Sequence, residues 1–271
     1  GHLEVLEWMK ENNLPLPDEY VIDYIAAKGR LHILKWMKEN NLPFLNKYAI
    51  TRASTHGRLE ILKWMHENNL QLFDIKDANE IAFQGYVHIL NWLKENNLPL
   101  PDIEGIENAA INGQLTVLIW SRENGYPLPG ENVADGAAQN GHIHILEWMK
   151  EKNCELTTIK GANNAASEGK IDVLNWIKKN SFNLPDINGI IYACRNGKVD
   201  VLEWLKENIP FTFDQDMAND CAINGSIRLL NWLKKNNLLL PDQEGANQAA
   251  RSATTETLDW LKAHQLPLPN Q

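Results

Sequence analysis

Histidines are the residues of this chain best suited to bind a metal ion, and three of the eight recur regularly. His32, His88 and His144 stand 56 residues apart. If they belong to stacked helical layers about 8–10 Å apart, alternate layers place them about 20 Å from one another, too far to share a metal. His142 and His144 are two residues apart, a spacing that points side chains to different sides of a helix. We therefore expect no metal site.

Sequence patterns typical of catalysis are also missing. The chain has no Gly-rich phosphate loop, no nucleophile elbow and no His-Glu-x-x-His stretch. Its three cysteines, Cys154, Cys194 and Cys221, are too few and too scattered for a disulfide framework. Packed free thiols fit a reducing compartment, so we expect an intracellular, cytoplasmic protein. We predict that the chain is not an enzyme and needs no cofactor.

All ten tryptophans stand 28 residues apart, from Trp8 to Trp260. Such a series of rings could stack on bases, sugars or methylated lysine. However, the residue two positions before each Trp is always Leu, from Leu6 to Leu258. One Trp beside one constant Leu in every unit is what packing between units requires. We therefore predict that these side chains are packed and that their indole N–H groups have partners.

A fixed period of this length is typical of repeat arrays. Nine whole units occupy residues 1–252 and a partial tenth occupies 253–271, which we interpret as one continuous domain. In the tenth unit Ala253 replaces the usual glycine, while Thr255 and Thr257 replace aliphatic residues, as expected of a capping repeat with a wetter outer face. The chain begins inside a unit, so we expect further sequence ahead of it.

Each unit is predicted to form two short helices. Residues 31–37 carry an apolar stripe around Trp36, which predicts an amphipathic Trp-bearing helix. The prolines of loop 98–102 end such a helix, and Asp102 can cap the next one. That next helix is short and contains the small pair Ala109-Ala110, so we name it the small-residue helix. Gly113 follows it and can adopt the left-handed conformation that helix ends favour.

These units resemble the ankyrin-repeat family. The resemblance rests on residues 26–34, Ala-Ala-Lys-Gly-Arg-Leu-His-Ile-Leu, and their copies, most closely residues 137–146, and it covers the whole chain. The unit of 28 residues is shorter than the family's about 33, and no Thr-Pro-Leu-His precedes the small-residue helix. The resemblance implies an all-α solenoid of about ten helix-turn-helix repeats, with shortened loops in place of β-hairpins. It also implies that the small-residue helices line the concave face and the Trp-bearing helices the convex side.

A repeat array presents an extended surface, so we expect it to bind another macromolecule. Binding should use the positions at which units differ, which we expect to be the exposed positions of the small-residue helix: the residues two and one before the small pair and one after it. Tyr, Arg and exposed aromatic residues are enriched in interface hot spots. The candidate partner-binding residues are Tyr20, Tyr24, Tyr48, Arg52, Phe83, Tyr192 and Arg195. The main hypothesis is a non-catalytic protein–protein interaction scaffold.

Two alternatives remain open at this stage. One is a reader of single-stranded RNA, because polar residues of helical repeats can address one base each. A run of Asn and Asp at the first of the variable positions, such as Asn79, Asp135, Asn163 and Asn219, suggests it. A net charge of −9 and a pI near 5.4 disfavour nucleic acid. The other alternative is a purely architectural spacer of a larger polypeptide. No apolar run is long enough to cross a membrane.

Overall fold

The computed structural model describes residues 2–16, 19–42, 47–69 and 73–270, apart from the side chains of Glu19, Tyr20 and Lys47. Every regular element in these ranges is a helix and none is a strand, so the predicted all-α solenoid is confirmed. The described helices are α1 (Leu3–Glu11), α2 (Glu19–Ala27), α3 (Leu31–Glu39), α4 (Lys47–Thr55), α5 (Leu59–Glu67), α6 (Ile75–Phe83), α7 (Val87–Glu95), α8 (Ile103–Ile111), α9 (Leu115–Glu123), α10 (Glu131–Asn140), α11 (Ile143–Glu151), α12 (Ile159–Glu168), α13 (Ile171–Lys179), α14 (Ile187–Arg195), α15 (Val199–Asn208), α16 (Gln215–Asp220), α17 (Ile227–Lys235), α18 (Gln243–Arg251) and α19 (Thr255–Ala263).

Contacts within the chain fall into two units, residues 1–127 and 128–271. In the first, α2, α4, α6 and α8 are small-residue helices; in the second, the even-numbered helices from α10 to α18 are. Within each unit, successive small-residue helices are in closer contact than successive Trp-bearing helices. Alanine and glycine allow this because they keep the backbones close. The interpretation of residues 1–271 as one continuous domain stays a prediction.

The predicted apolar positions form the core of both units. In α3, the side chains of Ile33, Leu34 and Met37 are buried, and the corresponding residues of the later Trp-bearing helices up to α17 are buried with them, except that Ser121 takes the place of the Met in α9. The small pair Ala109 and Ala110 is also buried. The stripes therefore lie between neighbouring helices, as the period predicts.

Helix ends follow the predicted turn chemistry. The carboxylate of Asp102 caps α8 by accepting a hydrogen bond from the Gly105 N–H at 2.8 Å. Gly113 has a φ of +87°. The Trp-bearing helices end differently: Asn96 donates from its side chain to the Trp92 carbonyl at 2.8 Å, and Asn97 then adopts a φ of +53°. An Asn-Asn pair ends α1, α3, α5, α7 and α17 in this way.

The tenth unit differs in part from the expected capping repeat. Thr255 is exposed, as predicted for a wetter outer face. Thr257 is fully buried, so that expectation was wrong for this residue. Its hydroxyl donates to the Ala222 carbonyl at 3.2 Å, which satisfies the hydroxyl in an otherwise apolar position.

Ala253 stands at the turn position that a glycine, such as Gly113, occupies in other repeats. Its φ is +54°. A left-handed alanine costs about 1–2 kcal/mol, because its Cβ approaches the following carbonyl oxygen. Since glycine loses more backbone entropy on folding, we expect Ala253→Gly to raise the free energy of unfolding by about 0.5–1 kcal/mol. Urea unfolding followed by circular dichroism measures this. A decrease in stability would show that the turn does not hold this conformation.

Candidate functional site: the exposed face of the small-residue helices

Three positions of the small-residue helices, two of them in the six-residue α16, form the surface that we name the small-helix face. They are the second, sixth and ninth residues, counted from the first residue of the helix. Because these lie four and three residues apart, they line one side of a helix. The sixth positions read Tyr24, Arg52, Glu80 and Asn108 in the first unit, and Gly136, Asn164, Tyr192, Asp220 and Gln248 in the second.

Most of the predicted binding residues lie on this face. In the first unit the side chains of Tyr24, Tyr48 and Arg52 are exposed, and Phe83 is 38% exposed. In the second unit Tyr192 is 40% exposed. The Tyr20 side chain lies outside the described part of the structure. The small-helix face therefore carries aromatic side chains in both units.

Arg195 already has an ion-pair partner within the chain. Its Nε lies 3.0 Å from the Asp220 carboxylate, and the Asp220 side chain is only 10% exposed. The pair joins α14 to the next small-residue helix, α16. Removing Arg195 would leave a buried carboxylate unpaired, so this residue supports the stack as well as the surface.

In several repeats the fifth position of the small-residue helix connects one repeat to the next. In α12, Asn163 accepts a hydrogen bond from the Asp186 N–H at 2.9 Å and donates to the Asp186 carboxylate at 2.7 Å. Asn79 of α6 makes the same two bonds to Asp102, both at 3.0 Å. Asp186 and Asp102 cap the following small-residue helices. We name this arrangement the fifth-position contact.

Other repeats in the second unit have the same contact. Asp135 accepts from the Thr158 N–H at 2.7 Å, and Asn219 accepts from the Asp242 N–H at 3.0 Å. The side chains of Asp135, Asn163 and Asn219 are buried. Their predicted exposure was therefore wrong, because the loop that enters the next repeat lies over this side of the helix. These side chains accept hydrogen bonds from backbone N–H groups of the next repeat, which would otherwise lack a partner.

A glycine in the next helix makes room for this contact. A Cβ built on Gly105 would lie 2.1 Å from the Asn79 Oδ1, and one on Gly189 would lie 2.6 Å from the Asn163 Oδ1. The same clash arises at the other two such pairs, Asp135 with Gly161 and Asn219 with Gly245. Asn or Asp followed 26 residues later by Gly was thus a signal in the sequence that the analysis missed. Asp23 does not follow this pattern, because the residue 26 positions later is Ala49 and not a glycine.

The tryptophans are packing residues, as predicted. Those from Trp36 onward are at most 9% exposed, whereas Trp8 is 57% exposed. Their rings contact aromatic side chains of the loops, for example Phe182, whose ring stacks on Trp176 with centroids 5.5 Å apart. The internal tryptophans therefore offer little ring surface to a ligand.

For three tryptophans the indole N–H has a hydrogen-bond acceptor on the preceding Trp-bearing helix. Trp120 donates to Asn91 and Trp204 to Asn175, both at 2.7 Å, and Trp260 donates to Asn231. In each case the acceptor is the residue just before the preceding tryptophan. At Trp232 that residue is Glu203, and the buried Trp232 Nε1 has no hydrogen-bond partner, so the prediction of a partner was wrong for this tryptophan.

This difference predicts a stabilising substitution. Glu203→Asn would give Trp232 the acceptor that Asn175 gives Trp204, and a buried hydrogen bond contributes about 0.5–1.5 kcal/mol. We expect the free energy of unfolding, measured by urea titration, to rise by about 1 kcal/mol. Glu203→Ala is the matched control, because it removes the carboxylate without supplying an acceptor. An equal effect of both substitutions would contradict the explanation.

Two histidines lie together although the sequence analysis placed them on different sides. The ring centroids of His142 and His144 are 5.6 Å apart. The helical argument failed because His142 precedes α11 and has a ψ of +70°. Burial lowers the pKa of His142, and the charges of His144 and Lys170 lower it further. Among the described residues, no group of three His, Cys, Asp or Glu side chains could hold a metal.

Two of the three cysteines are packed in the interior, and the clefts beside the Trp-bearing helices are shallow. Cys194 and Cys221 are buried free thiols, and their mutual hydrogen bond together with burial raises the pKa of Cys221. Shallow clefts of about 450 and 540 Å³ lie between α7 and α9 and between α11 and α13. Lysine, glutamate and the edges of Trp120 and Trp176 line them.

No helix of the described residues is long and apolar enough to cross a membrane.

Comparison with known proteins supports the fold. No protein-family model and no curated protein sequence matches the chain. Among solved structures it is similar to the human ASB11 ankyrin repeat domain, with a TM-score of 0.50 and 16% identity, over 67% of this chain and 96% of that one. It also matches the pentatricopeptide repeat protein PPR10, solved in complex with an 18-nt psaJ RNA element, with a TM-score of 0.39 and 12% identity. The chain spans 46% of the length of that protein, and the match covers 99% of this chain. The ASB11 likeness supports an ankyrin-like helical-repeat fold.

Proposed function

We propose that the chain is a non-catalytic scaffold that binds a protein partner through the small-helix face, on the concave side of the repeats. The observation that carries this proposal is a division of positions within one helix. The fourth, seventh and eighth residues pack and are small or aliphatic, with Ser54 and the two packed cysteines as variants and with Ala250 of the last such helix exposed. The fifth joins the next repeat in several helices. The sixth residue is exposed or half-buried in every small-residue helix except α16, where Asp220 is buried, and its type differs from repeat to repeat, as Tyr24 and Arg52 illustrate.

The surface chemistry favours a protein over RNA. Exposed Tyr24, Tyr48 and Tyr192 are of the type enriched in protein interfaces. The carboxamides that suggested an RNA reader, such as Asn163 and Asn219, are occupied by backbone N–H groups of the next repeat. A net charge of −9 also repels a phosphate backbone. A cytoplasmic location stays a prediction.

A capture experiment tests this proposal. The tagged chain and a Tyr24→Ala, Tyr48→Ala, Tyr192→Ala variant are exposed to a lysate, after circular dichroism has shown equal folding. Arg195 is kept because its loss would leave Asp220 unpaired. We expect the unaltered chain to capture a specific protein that this variant no longer captures.

A second variant provides the matched control on the opposite side. Glu39→Ala, Glu147→Ala and Lys179→Ala alter exposed residues of Trp-bearing helices. This variant should retain the captured protein. Loss by the control alone would place binding on the Trp-bearing side, and capture of nothing by the unaltered chain would favour an architectural spacer.

A further inference from the structure

Positive charge is concentrated in one short part of this acidic chain. Residues 28–58 contain seven Lys or Arg and a single acidic residue, Glu39, which gives them a net charge of +6. The whole chain has a net charge of −9, so the remaining residues carry −15. A local reversal of sign on this scale attracts the opposite charge and raises its association rate.

Part of this charge gathers around Tyr24 at the C-terminal end of α2. The Lys28 Nζ and the Arg30 guanidinium carbon lie 5.6 and 5.5 Å from the centre of the Tyr24 ring. Arg58 reaches back from the next repeat, and its Nε donates to the Ala27 carbonyl at 2.7 Å. These distances allow cation–π attraction, which holds the two cations over the ring.

Arg52 extends the cluster along the stack. It occupies the sixth position of α4, as Tyr24 does in α2, and α2 packs against α4. We name Tyr24, Lys28, Arg30, Arg52 and Arg58 the basic patch. Tyr24, Lys28 and Arg52 are exposed. No ion pair between two described residues involves any of its four cations.

We propose that the basic patch binds a short acidic peptide segment of the partner protein, a proposal that rests on the proposed function above. Guanidinium groups bind carboxylates through paired charge-assisted hydrogen bonds, and Tyr24 supplies an aromatic surface beside them. The segment must be short, because the rest of the chain is strongly acidic. A long polyanion such as RNA, lying along successive repeats, would meet that negative charge, whereas a short segment would not.

The test measures binding of a fluorescent peptide of alternating Glu and Asp by anisotropy at low and at physiological salt. The variant Lys28→Gln, Arg30→Gln, Arg52→Gln should bind about tenfold more weakly than the unaltered chain, because three charge-assisted contacts are lost. Arg58 stays, since it also bonds the Ala27 carbonyl. The control Lys152→Gln, Lys160→Gln, Lys179→Gln makes the same change in net charge at exposed sites of the second unit and should bind as the unaltered chain does.

Several outcomes would overturn the proposal: no peptide binding at low salt, equal weakening by both variants, or tighter binding of single-stranded RNA of equal charge. These failures differ from a failure of the proposed function. If the Gln variant at the basic patch still captures a lysate protein that a Tyr192→Ala variant no longer captures, that result would support the protein scaffold and contradict the acidic-segment proposal. Circular dichroism of each variant confirms that it is folded.

Discussion

Replacing Trp204 with alanine is expected to lower the free energy of unfolding by about 3–5 kcal/mol. The side chain is 9% exposed, and its Nε1 donates to Asn175 at 2.7 Å. Alanine would leave a cavity between successive Trp-bearing helices and an unpaired Asn175 oxygen. Because each repeat is stabilised mainly by its neighbours, the loss should spread to the adjoining repeats.

Trp8 provides the matched control within the same chain. It occupies the same position of the repeat but is 57% exposed, so Trp8→Ala should cost less than about 1 kcal/mol. Urea unfolding followed by circular dichroism measures both variants. Equal losses would mean that the tryptophans act through helix propensity or another local property, and not through packing between repeats.

The second large effect concerns the glycine that faces the fifth-position contact. Gly105→Ala is expected to destabilise the chain by about 1–3 kcal/mol, because its Cβ would lie 2.1 Å from the Asn79 Oδ1. Asn79→Ala alone should cost about 1–3 kcal/mol, since the Asp102 N–H loses its acceptor.

A double-mutant cycle separates the two effects. With Asn79 shortened to alanine, the Oδ1 and Cγ atoms at 2.1 and 2.4 Å are gone, and the nearest atom to the new Cβ is the residue 79 Cβ at 2.9 Å, so the overlap is smaller. The double variant should therefore lose less stability than the sum of the single losses. Strictly additive losses in urea titrations would show that Gly105 and Asn79 do not share one contact.

The helices could be predicted from the sequence because their cause is local. The apolar stripe around Trp36, the small pair Ala109-Ala110 and the cap Asp102 each act within one repeat, and a period of 28 residues repeats them. The packing of the tryptophans followed from the constant Leu two residues earlier. These features can be predicted without knowing how one repeat packs against the next.

The fifth position could not be assigned in the same way. On an isolated helix Asn163 lies at the border of the buried stripe, where exposure is the natural expectation. It becomes buried because the loop before α14 crosses it and presents the Asp186 N–H. Arg195 and Asp220 show the same limit, since their ion pair depends on the register between α14 and α16. The available clue was the recurrence of an Asn or Asp 26 residues before a Gly, as in Asn163 and Gly189.

The small-helix face then consists of fewer positions than the sequence suggested. Tyr24, Tyr48, Arg52, Phe83 and Tyr192 remain exposed, whereas the Asn and Asp residues beside them hold the repeats together. Substitutions of the residues that make the fifth-position contact should therefore reduce stability, and substitutions at the exposed sixth positions, such as Tyr24 and Tyr192, should reduce binding. Stability and capture can be measured on the same variants, so the two roles can be separated.

Site-specific photo-crosslinking tests the central claim most directly. A photoreactive phenylalanine analogue is placed at Tyr24 or Tyr192 on the small-helix face, and at Glu39 or Lys179 on Trp-bearing helices, one site in each variant. Each variant is illuminated in a lysate, and the attached proteins are identified by mass spectrometry. The same protein should be attached at Tyr24 or Tyr192 and not at Glu39 or Lys179. Attachment at Glu39 or Lys179 alone would contradict the assignment of binding to the small-helix face.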